Sequence, residues 1–124
     1  MVTNSVTLQV TCDMPRFLSV KKASVDIPFA KAHKLSPSES VVMGYFATYY
    51  ALAKKDSNMT HPRQKRLVRF VYAHVLRDLE GLFNHKQSIV RILRSLEEKT
   101  LIERYSDVRE SYFSLTPKSM EYLL

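Results

Sequence analysis

FNHKQSIVRILRSLEEKTLIERYSDVRESYFSLT, residues 83–116, is the stretch on which the fold turns. A polar opening leads into a run in which Ile89, Ile92, Leu93 and Leu96 recur at helical spacing. On a wheel of about 100° per residue these four share one sector. Gln87, Arg91, Arg94 and Glu98 point the opposite way, and Lys86, Val90 and Ser95 flank that outer face. The spacing predicts a helix over 85–99, opened by Asn84 and Gln87 as a capping pair. Two strand-like segments follow, at 101–105 and 110–115. The tip between them, SDVR, has the length of a hairpin turn.

Upstream, SPSE at 36–39 is a helix start. Ser36 caps, Pro37 fits the first helical position, and Glu39 reaches back as the reciprocal cap. Val42, Tyr45, Phe46, Tyr49, Leu52 and Ala53 continue at helical spacing to about Lys55. Val41, Met43, Ala47 and Ala51 make the opposite face apolar too. Such a helix is either central to the core or shared with a second subunit. KDSNMTHP, 55–62, is a loop. From Pro62 onward, Val68, Val71, Tyr72, Val75, Leu79 and Leu82 favour a helix, with a break near His74 that would make it two. The alternation of Val68, Phe70 and Tyr72 offers a short strand over 67–73 as the alternative. At the N-terminus VTLQV, 6–10, and SVDI, 24–27, read as short strands. At the other end TPKSMEYLL is a short helix, with Thr116 as cap and Pro117 in its first turn.

With 124 residues, 45% of them hydrophobic and 25% charged, the chain has the composition of one globular domain. The two glycines, Gly44 and Gly81, favour helices over a strand-rich barrel. The lone Cys12 forms no internal disulfide and fits a reducing compartment. No secretory signal is visible. The most apolar run, 41–53, is too short for a bilayer, so a cytoplasmic protein is expected. The net charge of +7 bears on partners rather than fold. Residues 63–69, RQKRLVR, hold four cations and no acid. Arg63, Lys65, Arg66 and Arg69 are therefore candidates for nucleic-acid phosphates, joined by His85 and Ser88 at the next helix start. Lys86, Gln87, Val90, Arg91 and Arg94 are the candidates for reading base edges in the major groove.

The order helix, turn, helix, strand, tip, strand is that of a helix-turn-helix with a wing. The last forty or so residues resemble the MarR-type winged-helix regulators. That family's L-E-x-x-G-L-I-x-R is matched by Leu96, Glu97, Leu101, Ile102 and Arg104. Its D-x-R is matched by Asp107 and Arg109, and its S-L-T by Ser114, Leu115 and Thr116. The resemblance extends more weakly back to Leu35. It implies a mainly α winged helix-turn-helix fold with a small β-hairpin. Residues 1–34 would then be an N-terminal extension, and 35–124 the helical core, recognition helix and wing. It also implies that Arg109 enters the minor groove with Asp107 as its support, and it places Arg104 in the wing set.

Two family glycines are replaced, by Thr100 and Ser119, so an altered end is expected for the 85–99 helix. The family's long terminal dimer helix has no counterpart up to Leu124. A homodimer is expected instead through the N-terminal segment and the 36–55 helix. A second similarity is to the winged domains of plasmid and phage replication initiators.

His33, His61, His74 and His85 lack metal-ligand spacing, and neither a phosphate loop nor a nucleophile elbow occurs. Neither an enzyme nor a cofactor is expected. The reading is a sequence-specific double-stranded DNA-binding protein, a small transcriptional regulator. The alternatives are a replication or partition protein and a winged helix that binds protein instead.

Overall fold

The computed structural model describes the backbone of residues 9–14 and 17–21 and the whole of residues 25–108 and 110–120. Strands β1 (Gln9–Met14) and β2 (Phe17–Lys21) pair as an antiparallel hairpin, with a register shift between Thr11 and Met14. The expected strand over 6–10 is met at Gln9 and Val10; residues 6–8 lie outside the described residues. The strand expected over 24–27 is a correction. Ser24 lies outside the described residues, and helix α1 (Ile27–Ala32) begins at Ile27. The Asp26 carboxylate accepts the Phe29 N–H at 3.0 Å and Pro28 sits in the first turn, so a capping signal prevails over the apparent alternation.

Helix α2 (Pro37–Ala53) starts as expected. Ser36 Oγ accepts the Glu39 N–H at 3.1 Å, and Glu39 Oε1 accepts the Ser36 N–H at 2.8 Å. Val42, Met43, Tyr45, Phe46, Ala47, Tyr49, Tyr50 and Ala53 are all buried. Residues from both faces of α2 are therefore buried within one chain. Most of α2 thus belongs to the core, while Val41, Ala51 and Leu52 stay half-buried among the described residues. Phe46 meets Phe113 and Phe70 edge-on, at 4.9 and 5.4 Å between ring centroids. The tyrosine hydroxyls inside this core all donate: Tyr45 to Asp78 Oδ2, Tyr49 to the Arg69 carbonyl and Tyr50 to the Arg66 carbonyl, each at 2.8 Å.

The helix expected from Pro62 is also corrected. Residues 68–70 form strand β3 (Val68–Phe70), and helix α3 (Tyr72–Asp78) begins only after Val71. Val68 and Phe70 point into the core while Arg69 faces outward. The 3.6-residue pattern through Leu82 belongs to α3 and its exit turn. Residues 68–70 pair as Val68↔Phe113, Arg69↔Tyr112 and Phe70↔Ser111 with a strand more than forty positions away. Tertiary pairing decides such a short segment, and no local window contains it.

Helix α4 (Lys86–Glu98) and strands β4 (Ile102–Ser106) and β5 (Ser111–Leu115) follow. The three-stranded antiparallel sheet has the order β3-β5-β4. The Asn84–Gln87 pair does not cap α4. His85 occupies the cap position without a side-chain bond, which leaves Gln87 one residue short of the reciprocal place. Helix α5 (Pro117–Met120) completes the described part. The Thr116 hydroxyl donates to the carbonyls of Thr100 and Leu101, at 2.6 and 3.2 Å, tying the end of β5 to the start of β4. Ser119, where the resembling family has glycine, is fully buried and donates to the Leu101 carbonyl at 2.6 Å.

The end of α4 is not altered by Thr100. That residue adopts φ 59°, the left-handed conformation a glycine would take. The Leu101 N–H returns to the Leu96 carbonyl at 3.0 Å and the Thr100 N–H to Glu97 at 2.9 Å. Leu96 and Leu101 are both fully buried, so their packing holds the motif closed against the strain of a β-branched residue. Thr100→Gly is accordingly expected to raise the unfolding free energy by about 1 kcal/mol. Urea unfolding checks it, and an unchanged or lower midpoint would mean that the Thr100 hydroxyl, which accepts from Lys118 Nζ at 2.8 Å, outweighs the strain.

Candidate nucleic-acid interface

Helix α4 presents the face read from the sequence. Ile89, Leu93 and Leu96 are fully buried against α2 and α3, and Ile92 packs beside them. Lys86, Gln87, Arg91 and Arg94 are exposed, and Val90 is half-buried at the margin. Among the described residues, none of Lys86, Arg91 and Arg94 forms an ion pair. The Lys86 ammonium lies 4.9 Å from the centroid of the Tyr72 ring, a cation–π contact that steadies the first residue of α4.

The cations of the 63–69 run differ in their surroundings. Arg63 and Lys65 are exposed and without ion pairs among the described residues. Arg66 pairs with Glu103 at 2.8 Å, and Arg69 with Glu110 at 3.2 Å. The strand explains the split. Arg69 lies on the outer face of β3, where β4 and β5 bring acids that are far off in sequence. Exposed pairs such as Arg66–Glu103 are weak and open readily to a stronger anion. His85 is exposed at the start of α4, and Ser88 is half-buried one turn on.

At the tip between β4 and β5, the Asp107 N–H donates to the Glu110 carbonyl at 3.1 Å. Asp107 Oδ1 accepts the Glu110 N–H at 3.3 Å. This closes the turn and leaves Val108 97% exposed at its apex. Arg109 lies outside the described residues. Arg104, placed by resemblance in the same set, points away from the tip. Its guanidinium meets Glu97 Oε1 through Nε at 2.8 Å and Nη2 at 2.6 Å, and the Tyr72 hydroxyl through Nη1 at 3.1 Å. Burial alone would lower its pKa; the Glu97 and Tyr72 contacts outweigh burial and raise it.

A second cluster was not legible as such. Beyond its capping role, Glu39 accepts from Ser95 Oγ and from Lys99 Nζ, the latter at 2.9 and 3.1 Å. Lys99 also donates to the Lys34 carbonyl at 3.2 Å. The start of α2 is thereby clamped to the end of α4. Burial pushes the Glu39 carboxyl up, but the Ser36 N–H, the Ser95 hydroxyl and Lys99 together bring it down to about 2. The capping pattern in the sequence found one oxygen's role; its partners on α4 lie 56 and 60 positions away.

Among the described residues no group of three His, Cys, Asp or Glu side chains stands together as a metal site, and no helix is long and apolar enough to cross a membrane. Comparison of the chain with protein-family models, curated proteins and solved structures finds no match.

Proposed function

We propose that this chain is a winged helix-turn-helix domain that binds double-stranded DNA as a small transcriptional regulator, with α4 in the major groove. The observation that carries the reading is the set of exposed cations without ion pairs, Lys86, Arg91 and Arg94, on the outer face of a helix anchored by Ile89, Leu93 and Leu96. Its dimensions suit the role. A helix fits the major groove, and long donors near its N-terminal half reach base edges. The order α2, β3, α3, α4, β4, β5 with sheet order β3-β5-β4 supports the same reading. It sets α3 and α4 in succession and stands the β4–β5 hairpin beside α4. Arg63 and Lys65 supply phosphate contacts at the flank.

A winged helix that docks on protein is the second reading. It is favoured by the acids that neutralise Arg66, Arg69 and Arg104 on the sheet. Duplex titration across salt concentrations separates the two. For DNA binding, log K falls linearly with log salt, losing about 0.9 per phosphate contacted, so three or four contacts give a slope near −3. Absence of salt-dependent duplex binding overturns the DNA reading.

A further inference from the structure

We infer that Arg104 touches no DNA and is instead the positioning residue that sets the wing at a fixed angle to the reading helix. This inference rests on the DNA-binding proposal and deepens it. Arg104 stands on β4, the outer strand of the hairpin, with its side chain 22% exposed. Both N–H groups facing Glu97 converge on one oxygen of a carboxylate on the last turn of α4. Its third contact is the Tyr72 hydroxyl, on the first residue of α3. The Tyr72 ring in turn carries the Lys86 ammonium, at the first residue of α4. One side chain thus joins the wing to α3 and, through Glu97 and Tyr72, to both ends of α4.

The base of the hairpin is packed, with Ile102, Phe113 and Leu115 in the core beside Leu93 and Leu96; at the level of Arg104 the join borders an open cleft. That cleft, of about 290 Å³, is lined by Phe70 and Tyr72 on one side and by Ser106, Ser111 and Tyr112 of the hairpin on the other, with the ion pair at its border. Strand pairing and core packing hold the base of the hairpin, and directional bonds at Arg104 add to its orientation beside the cleft. A planar guanidinium held at three of its N–H groups is suited to that, and lysine is not. A site engaged by helix and wing together requires the two at one spacing, so a loosened wing costs affinity only where both are used.

The test compares Arg104→Ala, Arg104→Lys, Glu97→Ala and the double alanine variant on two selected duplexes. One is long enough for helix and wing, and the other is trimmed to the helix footprint. Arg104→Ala is expected to lose about tenfold on the long duplex, a coupling of ordinary size. It should lose little on the short one and share its long-duplex salt slope with Glu97→Ala. Arg104→Lys should behave like Arg104→Ala. Glu97→Ala removes a negative charge yet should weaken long-duplex binding by the same factor, and the double variant should lose no more than either single one. A salt slope about one unit shallower in Arg104→Ala than in Glu97→Ala would show a phosphate contact of Arg104 itself and overturn the inference. Tighter binding by Glu97→Ala, additive losses, or equal losses on both duplexes would overturn it too. The free protein supplies a readout independent of DNA. The Arg104 Nε–H should exchange slowly with solvent and lose that protection in Glu97→Ala. Fast exchange in the wild type overturns the join itself, whereas wild-type protein that ignores duplexes while keeping the protection overturns the DNA reading and, with it, the wing's role there.

Discussion

Glu39→Ala is expected to lower the unfolding free energy by about 3 kcal/mol near neutral pH, a large effect for one polar side chain. The size follows from the carboxyl's depression from 4.5 to about 2, at about 1.36 kcal/mol per unit. Its side chain is only 11% exposed, so solvent screening removes little of this. The sign is that of a depressed acid. The contribution is fully present above the unfolded value of 4.5 and is lost as pH falls through the folded value of about 2. Glu39→Gln separates charge from geometry. A glutamine can keep the capping box, because its amide oxygen accepts the Ser36 N–H, but it does not titrate. Urea unfolding from about pH 6 down to about pH 2 should show a steeper loss for the wild type than for Glu39→Gln, with the difference confined to the window between the two pKa values. Parallel curves would mean that Ser95 and Lys99 contribute nothing specific to the ionised form.

The comparison between sequence and structure turns on the range of each interaction. The Ser36–Glu39 box, the buried seam of α4 and the hairpin after it were legible because their determinants lie within four residues or within one turn. The Thr100 backbone was half-legible. The position called for a left-handed residue, but whether threonine could supply it depended on Leu96 and Leu101 packing together. The strand at Val68–Phe70 was outweighed by the helical pattern that begins at Tyr72, since its partner β5 lies more than forty residues on. The same limit applies to the charges. Arg66, Arg69 and Arg104 look alike in the sequence as free cations, and each is paired by an acid brought in through the sheet or α4. Arg91 and Arg94 escape because their helix turns them outward, where no acid among the described residues pairs with them. The candidate interface narrows from a diffuse basic chain to one helix face for that reason.

Removing that face should produce the largest change in binding. Arg91→Ala combined with Arg94→Ala is expected to lower affinity for a selected duplex about a hundredfold or more, since each base-reading arginine is worth roughly 1–3 kcal/mol. The two residues are three apart on α4, a rise of about 4.5 Å along the helix axis. The base step is about 3.4 Å, so they address neighbouring base pairs, and the double variant should lose discrimination at two adjacent positions. Stability should change by no more than about 0.5 kcal/mol, because both side chains are exposed and neither forms an ion pair among the described residues. Lys65→Ala is the contrasting variant. A phosphate contact carries no sequence information, so its loss should weaken selected and random duplexes alike and flatten the salt slope by about one unit. Titration of the three proteins on both duplexes gives the answer. If the Arg91/Arg94 double variant loses the same factor on selected and random DNA, α4 meets the backbone rather than the bases. The exposed cations then serve attraction alone, and the reading element must be sought elsewhere on the surface.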